Sequence, residues 1–530
     1  MSVQPVITEL KELCRVYKNK DGSKFYDISE CPDHPIVGKG IDIGHYPVTS
    51  GFKDSSRHYL SSSSDLAAAA IQPGSDASLA EVLQIIAKYR VPFAVKGGGH
   101  SMTPDFSSTS GGIQISMTRF DDITYNPTNF RLEVGAGALW GAVYQETAKH
   151  GRCVVGGANR AVGVAGFTLG GGYSLKTNRL GLGIDHVQGF KIVTPGGTIV
   201  EVSDESTGDE LELYQALRGG ANNFGVVTSF TLNTHEQTST YGAMLVIPGE
   251  KEPEVKQAIL EHITTEKRKE AALECIFKYN LHPGQPSPQH TISAYCIFDA
   301  PKPQKLEDVP YKAFRDIAEP EDSEVDGEVE SAGPDGAASE PAGLPQTPSK
   351  APAPPPPFPI ANLGETNMRG RFACIMVSGY TSALISAAAQ EAKRASQLMS
   401  KHSGRQVAFD VWPFLPSLFD NSTPNAAWPH TPGHPYSPLI ASFLWDDLKD
   451  DEFWLNEIRA SLDTLMQVAV SEGVARADMP RYLNTSLEDV SVEMVYGGEE
   501  NVRRLGRVRR KWDGGDVMSL AGGFRIPLAE

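Results

Sequence analysis

The residues best suited to chemistry in this 530-residue chain sit in two glycine-rich runs. In VPFAVKGGGHSMTPDF, a short apolar strand-like run ends in Lys96, three glycines (Gly97, Gly98, Gly99), His100 and Ser101. A second run, GGANRAVGVAGFTLGGGYS, holds Asn159, Val162, Gly163 and Gly166 and closes on Gly170, Gly171 and Gly172. Consecutive glycines let backbone N–H groups converge on an anion, because no Cβ blocks the approach and positive φ is free. Two such clusters flanking a few strands suit a diphosphate, although either cluster alone is equally a tight turn. Neither has GxGxxG opening a helix, so a Rossmann loop is not supported. His430 and His434 lie four apart in WPHTPGHPYSP, with no thiol or carboxylate at ligand spacing. A solvated turn is expected there, and no metal site. Asp446, Asp447, Asp450 and Asp451 in SFLWDDLKDDEFW read as a strand end and helix N-terminus, not as a catalytic pair.

These residues need a scaffold, and the surrounding sequence supplies one. In DASLAEVLQIIAKYR the apolar set Leu79, Val82, Leu83 and Ile86 falls on one helical face, and Ser78 with Glu81 has capping-box spacing. Strands are expected at VPFAVK, GGIQISM and RLEVGAG, a helix at ALWGAVYQETAKH, and a hairpin around Pro195 to Gly197 in FKIVTPGGTIVEV. Hairpins interrupt the alternation, so the fold class is α+β and not a regular βαβ array.

Composition narrows the partners. Lys plus Arg number 48 against 65 Asp plus Glu, a formal charge of -17, which argues against nucleic acid or an anionic membrane. About half of that excess lies in residues 319–359, with nine acids, one lysine and a proline-rich end. This tract has almost no large apolar residue and is expected to be a disordered insertion. The six cysteines are scattered without metal-like spacing, as for free thiols in a reducing compartment. The first twenty residues lack a basic then apolar leader, and no run of about 18 apolar residues occurs, so a cytoplasmic protein is expected.

The two glycine runs, followed by GLGIDHVQGFKIVTPGGTIVEV, LYQALRGGANNFGVVTSFTL and the carboxy-terminal RYLNTS and YGGEENVRRLGRVRRKWDGGDVMSLAGGFRIP, resemble the vanillyl-alcohol oxidase / p-cresol methylhydroxylase (PCMH) superfamily. The berberine-bridge-enzyme-like branch is the nearest. The resemblance implies an N-terminal extension (1–54) and a two-subdomain PCMH-type FAD-binding domain (55–234). A substrate domain with an antiparallel sheet (235–475) and a C-terminal element returning to the FAD domain (476–530) complete the chain. It implies FAD held by Lys96 to Ser101, Asn159, Gly163, Gly166, Gly170 to Gly172, Val227 and Asn484, with one covalent bond from His100. The family's second attachment point is a cysteine where this chain has Asn159, so one link is implied. The position that governs oxygen access is Val162, which goes with oxidases.

The implied reaction is hydride loss from a small organic substrate to FAD, with O2 as acceptor and H2O2 as product. A secondary metabolite in an apolar pocket is the expected substrate. The family's YxNY-like motif reads Tyr482, Leu483, Asn484, Thr485 here, which lacks the second tyrosine. The proton acceptor is therefore open among Tyr482, Tyr436, Tyr380 and His434. A flavin-containing non-redox cyclase or isomerase, a dehydrogenase with another acceptor, and a flavin-stabilised scaffold are the alternatives. A monomer or homodimer is expected.

Overall fold

The computed structural model describes residues 3–21, 26–30, 50–305, 309–318, 328–329 and 368–529. The insertion expected at 319–359 lies outside the described residues, except for 328–329.

Three sheets position the site. The first has four strands in the order Tyr26–Glu30, Ala69–Gln72, Ile113–Ser116, Phe93–Lys96, the last three parallel to one another and the first antiparallel to the second. Helix Asp76–Tyr89 connects two of them and buries Leu79, Val82, Leu83 and Ile86, the face that the apolar spacing marked. Its cap differs from the expected one. Ser75, extended at φ -156°, accepts from Ser78 N (3.2 Å), and Ser78 Oγ accepts from Ser75 N (3.1 Å). The helix therefore starts one turn earlier than the Ser78–Glu81 spacing suggested. Arg90 ends it in the left-handed region (φ 54°), and strand Phe93–Lys96 begins three residues later.

The second sheet is antiparallel, in the order Ile123–Asn126, Arg131–Gly135, Val226–Asn233, Val187–Val193, Ile199–Ser203. The expected hairpin joins its last two strands, with Gly197 at φ 86° in the turn. The third sheet has seven antiparallel strands in the order Glu328–Val329, Thr240–Pro248, Gln289–Phe298, Ala271–Asn280, Gly404–Val411, Ser437–Trp445, Arg369–Val377. One of its faces, with Phe277, Phe409 and Phe443, is wholly buried, and helices Ser382–Ser396 and Asp451–Ser471 cover the sheet.

Both termini join the first domain. The expected extension adds the edge strand Tyr26–Glu30, and Glu9 in helix Gln4–Asp21 accepts from Lys88 (2.7 Å) and the Tyr89 hydroxyl (2.8 Å). At the other end Asn223 donates to Phe524 O (3.1 Å) and accepts from Ile526 N (3.0 Å). No helix of the described residues is long and apolar enough to cross a membrane. The described cysteines, Cys153, Cys275, Cys296 and Cys374, are buried free thiols.

His430 overturns the expectation of a solvated turn. It is buried, its Nε2 lies 2.8 Å from Asp185 Oδ1 and its Nδ1 lies 3.0 Å from Trp428 O. Both ring nitrogens thus face oxygen atoms. Burial works to raise the Asp185 carboxyl, but the His430 ring and the N–H of Thr423 outweigh it and hold it below the usual range. The pair ties the loop before strand Ser437–Trp445 to the turn Gly183–His186 of the glycine-rich half. Breaking a buried pair from one side leaves a charge without compensation. Asp185→Asn should cost about 3–5 kcal/mol in urea unfolding. A loss under about 1 kcal/mol would show that the pair does not hold the loop.

Candidate active site

The two glycine runs meet. A Cβ on Gly98 would stand 2.5 Å from Gly163 N and 2.6 Å from its Cα, so each residue must be glycine for the backbones to touch. Gly99 adopts φ 69°, and Gly171 and Gly172 adopt φ 116° and 86°. Gly166 has open space where its Cβ would be. His100 follows this junction and stacks on Tyr59 at 4.6 Å between centroids. Its Nε2 is buried with no hydrogen-bond partner among the described residues, and burial pushes the imidazole down to about 4. A neutral ring nitrogen without a partner beside a bare backbone cradle fits attachment of a flavin.

The other expected FAD residues divide. Lys96 is buried, pushed down to about 8 mainly by that burial, and its Nζ donates to Asp54 O (3.0 Å). It therefore buttresses the loop from behind. Ser101 Oγ accepts from Thr103 N (3.2 Å) and Asn159 Oδ1 from Ala161 N (2.9 Å), so both brace turns. Val227 is buried opposite Ile192 in the second sheet. Val162 is half-buried next to Gly163, its carbonyl accepting from Trp140 N (3.0 Å). Asn484 packs its amide onto Gly170, leaving no room for a Cβ there.

The four base candidates also divide. Tyr482 is buried and its hydroxyl accepts from Asn484 Nδ2 (3.2 Å). Burial raises this phenol, while hydrogen bonds from Asn484 and from the backbone of Tyr173 and Gly172 oppose the rise. Donors aimed at the oxygen are what a phenolate needs. Burial outweighs the help that Tyr380 receives from Trp412 N and Ser437, and Tyr436 has no such donor among the described residues. Tyr380 donates to Pro438 O (3.2 Å) and accepts from Trp412 N (3.1 Å), and Tyr436 donates to Pro429 O. Burial drives both phenols strongly upward, so neither is poised to take a proton. His434 is exposed on its turn.

The sequence reading missed the inner face of the seven-stranded sheet. Register places Glu274, Ile276 and Lys278 beside Ala408 and Asp410 on one face, together with Ser293, Ser442 and Cys374. This face lies against the glycine-rich half at two points. Tyr59, the stacking partner of His100, packs with Leu444 and Phe372, and Cys374 Sγ approaches Tyr482 O at 3.9 Å. Asp410 is in register with Cys374, two strands away. Its Oδ1, with Ser293 Oγ, Ser442 Oγ and Trp412 Nε1, is buried without a partner among the described residues. Burial pushes Glu274 up to about 8, helped by the Asp410 charge, and Asp410 up to about 7 against the pull of Lys278. This face of the sheet is thus polar. Period-two strands hide such a cluster, because its members meet only through cross-strand register.

The comparisons agree with this arrangement. Residues 67–203 match the family described as an FAD binding domain. Over 222 residues the chain is 38% identical to an FAD-dependent monooxygenase of Fusarium proliferatum, covering 42% of this chain and 40% of that protein. It is 35% identical over 170 residues to the bifunctional solanapyrone synthase of Alternaria solani, 32% of each chain. The chain therefore matches less than half the length of these relatives. Among solved structures, 6-hydroxy-D-nicotine oxidase of Arthrobacter nicotinovorans superposes with a TM-score of 0.67 at 19% identity, over 91% of this chain and 97% of that one. BBE-like 1 of Physcomitrella patens gives 0.68 at 19%, over 92% and 96%. Residues 67–203 are an FAD-binding domain, and the chain shares its α+β fold with 6-hydroxy-D-nicotine oxidase and BBE-like 1. FAD is the cofactor this domain takes.

The acid pair gives a pH signature. A carboxyl raised in the folded state contributes stability that is complete below its unfolded value, near 4, and disappears as pH rises through the folded value. For Glu274 and Asp410 that window runs from the ordinary carboxyl range to about 8. Unfolding free energy should fall by about 2 kcal/mol or more from about pH 5 to about pH 8.5, and Asp410→Asn should remove roughly half of that slope. Identical slopes in wild type and variant would mean that the pair is not raised.

Proposed function

We propose that this protein is an FAD-dependent oxidase of a small organic molecule, with O2 as the electron acceptor. The observation that carries the reading is His100, whose buried Nε2 lacks a partner at the junction of Gly98 and Gly163. When bound, FAD supplies a two-electron acceptor that takes a hydride from the substrate and yields its electrons to O2. The chain's own residues do the rest. His100 would hold the flavin covalently, the glycine backbones would admit its diphosphate, and Asn484 with Tyr482 would give the site a polar end.

The proton acceptor in this reading is Asp410, with Tyr482 as the alternative. Asp410 has a free oxygen on the inner face and an affinity for protons near neutrality, which suits a general base. It takes the place left by Thr485, so the missing tyrosine no longer favours a non-redox enzyme. The relatives named as a monooxygenase and a synthase of fungal metabolites support a secondary-metabolite substrate.

Two results are expected. After acid precipitation the yellow colour should stay with the protein, and in His100→Ala it should pass to the supernatant. Release of all flavin from wild type would end the claim of a covalent link. Val162 is half-buried beside Gly163, and added side-chain volume at a packed site closes small gaps. Val162→Leu should slow reoxidation of dithionite-reduced flavin by air about tenfold or more. Wild-type reduced flavin that persists for minutes in air-saturated buffer would exclude an oxidase and favour a dehydrogenase.

A further inference from the structure

The inner face of the seven-stranded sheet offers more hydrogen-bonding capacity than the fold uses. Asp410 Oδ1, Ser293 Oγ, Ser442 Oγ and Trp412 Nε1 are all buried without partners among the described residues. Buried polar groups without partners cost stability, so a set of them on one face marks a surface that a ligand completes. Ile276 stands directly opposite Asp410, which puts Glu274 diagonally across the strand pair from Asp410 on the same face. Diagonal neighbours are about 7–8 Å apart, within reach of one small molecule bridging two carboxyl groups.

We propose that Glu274 and Asp410 form a two-point clamp for a neutral substrate carrying two neighbouring oxygens. One is a hydroxyl that donates to Asp410, and the other is a hydroxyl or carbonyl oxygen that accepts from Glu274. The clamp rests on the reading of Asp410 as the proton acceptor. Charge supports neutrality of the ligand. Among the described residues the ionisable groups facing the pair are Lys278, Tyr295 and Cys374 on the same sheet and Tyr380 beyond its edge, and Lys278 is the cation acting on Asp410. Burial and the Asp410 charge both hold the Glu274 carboxyl protonated, whereas Lys278 pulls Asp410 toward its ionised form. One acid, one carboxylate and one ammonium sum to no net charge. An amine or a carboxylate would unbalance that sum, whereas a diol or hydroxyketone would satisfy both a donor and an acceptor.

The test uses the FAD-loaded protein without oxygen and four probes of one size: trans-1,2-cyclohexanediol, 2-hydroxycyclohexanone, cyclohexanol and cyclohexylamine. Binding is read from perturbation of the flavin absorbance band, and oxidation from its bleaching. The diol and hydroxyketone should half-saturate at concentrations about tenfold or more below cyclohexanol, as one extra hydrogen bond to a charged group allows. Glu274→Leu should erase that preference, and Glu274→Gln, which can still donate, should keep most of it. Equal binding of diol and cyclohexanol in wild type, tightest binding of the amine, no response to any probe, or a preference that survives Glu274→Leu would each overturn the clamp. The two readings fail separately. Bleaching by cyclohexanol as readily as by the diol removes the clamp and leaves an oxidase. Selective binding without bleaching by any probe keeps the clamp and removes the oxidase.

Discussion

The contact between the backbones of Gly98 and Gly163 is the constraint on which the rest of the structure depends. Each would place a Cβ against the other's main chain, so the two glycine runs can touch only without side chains. One run leaves strand Phe93–Lys96 of the four-stranded sheet, and the other opens helix Val164–Leu169 between strands Arg131–Gly135 and Val187–Val193 of the five-stranded sheet. The contact therefore joins two subdomains and sets His100 at the seam. Lys96, Ser101 and Asn159 serve that seam from outside it, bracing turns and backing the loop. Residues next to a cofactor cradle need not touch the cofactor to be needed for it.

The seven-stranded sheet packs its inner face against the glycine-rich half. Its outer face is a hydrophobic core with helices, and its inner face carries acids, a lysine and hydroxyls. Tyr59 near His100 and Cys374 near Tyr482 fix where that face lies relative to the glycine-rich half. The Asp185–His430 pair fixes the loop that leads into strand Ser437–Trp445. A rigid wall of buried polar groups is costly, and its retention on one face is intelligible if a substrate satisfies it.

Much of this was legible in the sequence for physical reasons. Close backbone approach demands glycine, so Gly97 to Gly99 and Gly170 to Gly172 announce themselves. Helix Asp76–Tyr89 shows its 3.6 period, and the hairpin at Gly197 shows its turn residues. The wall was not legible, because Glu274 and Asp410 belong to distant strands and meet only by register. His430 was misread because proline and glycine around it suggest solvent, whereas the loop folds back under Trp428, itself fully buried. Tyr380 and Tyr436 looked like bases because composition cannot show that a backbone carbonyl already takes their hydroxyl protons.

The most direct test of the account is the flavin content of Gly163→Ala, measured as the ratio of flavin to protein absorbance in folded, soluble protein. Gly379→Ala serves as the reference, since nothing lies within 4 Å of a Cβ there. The account predicts a flavin-depleted Gly163→Ala with a retained far-ultraviolet circular dichroism spectrum, and a fully yellow Gly379→Ala. Full flavin content in Gly163→Ala would contradict the claim that the meeting of the two glycine backbones forms the FAD site.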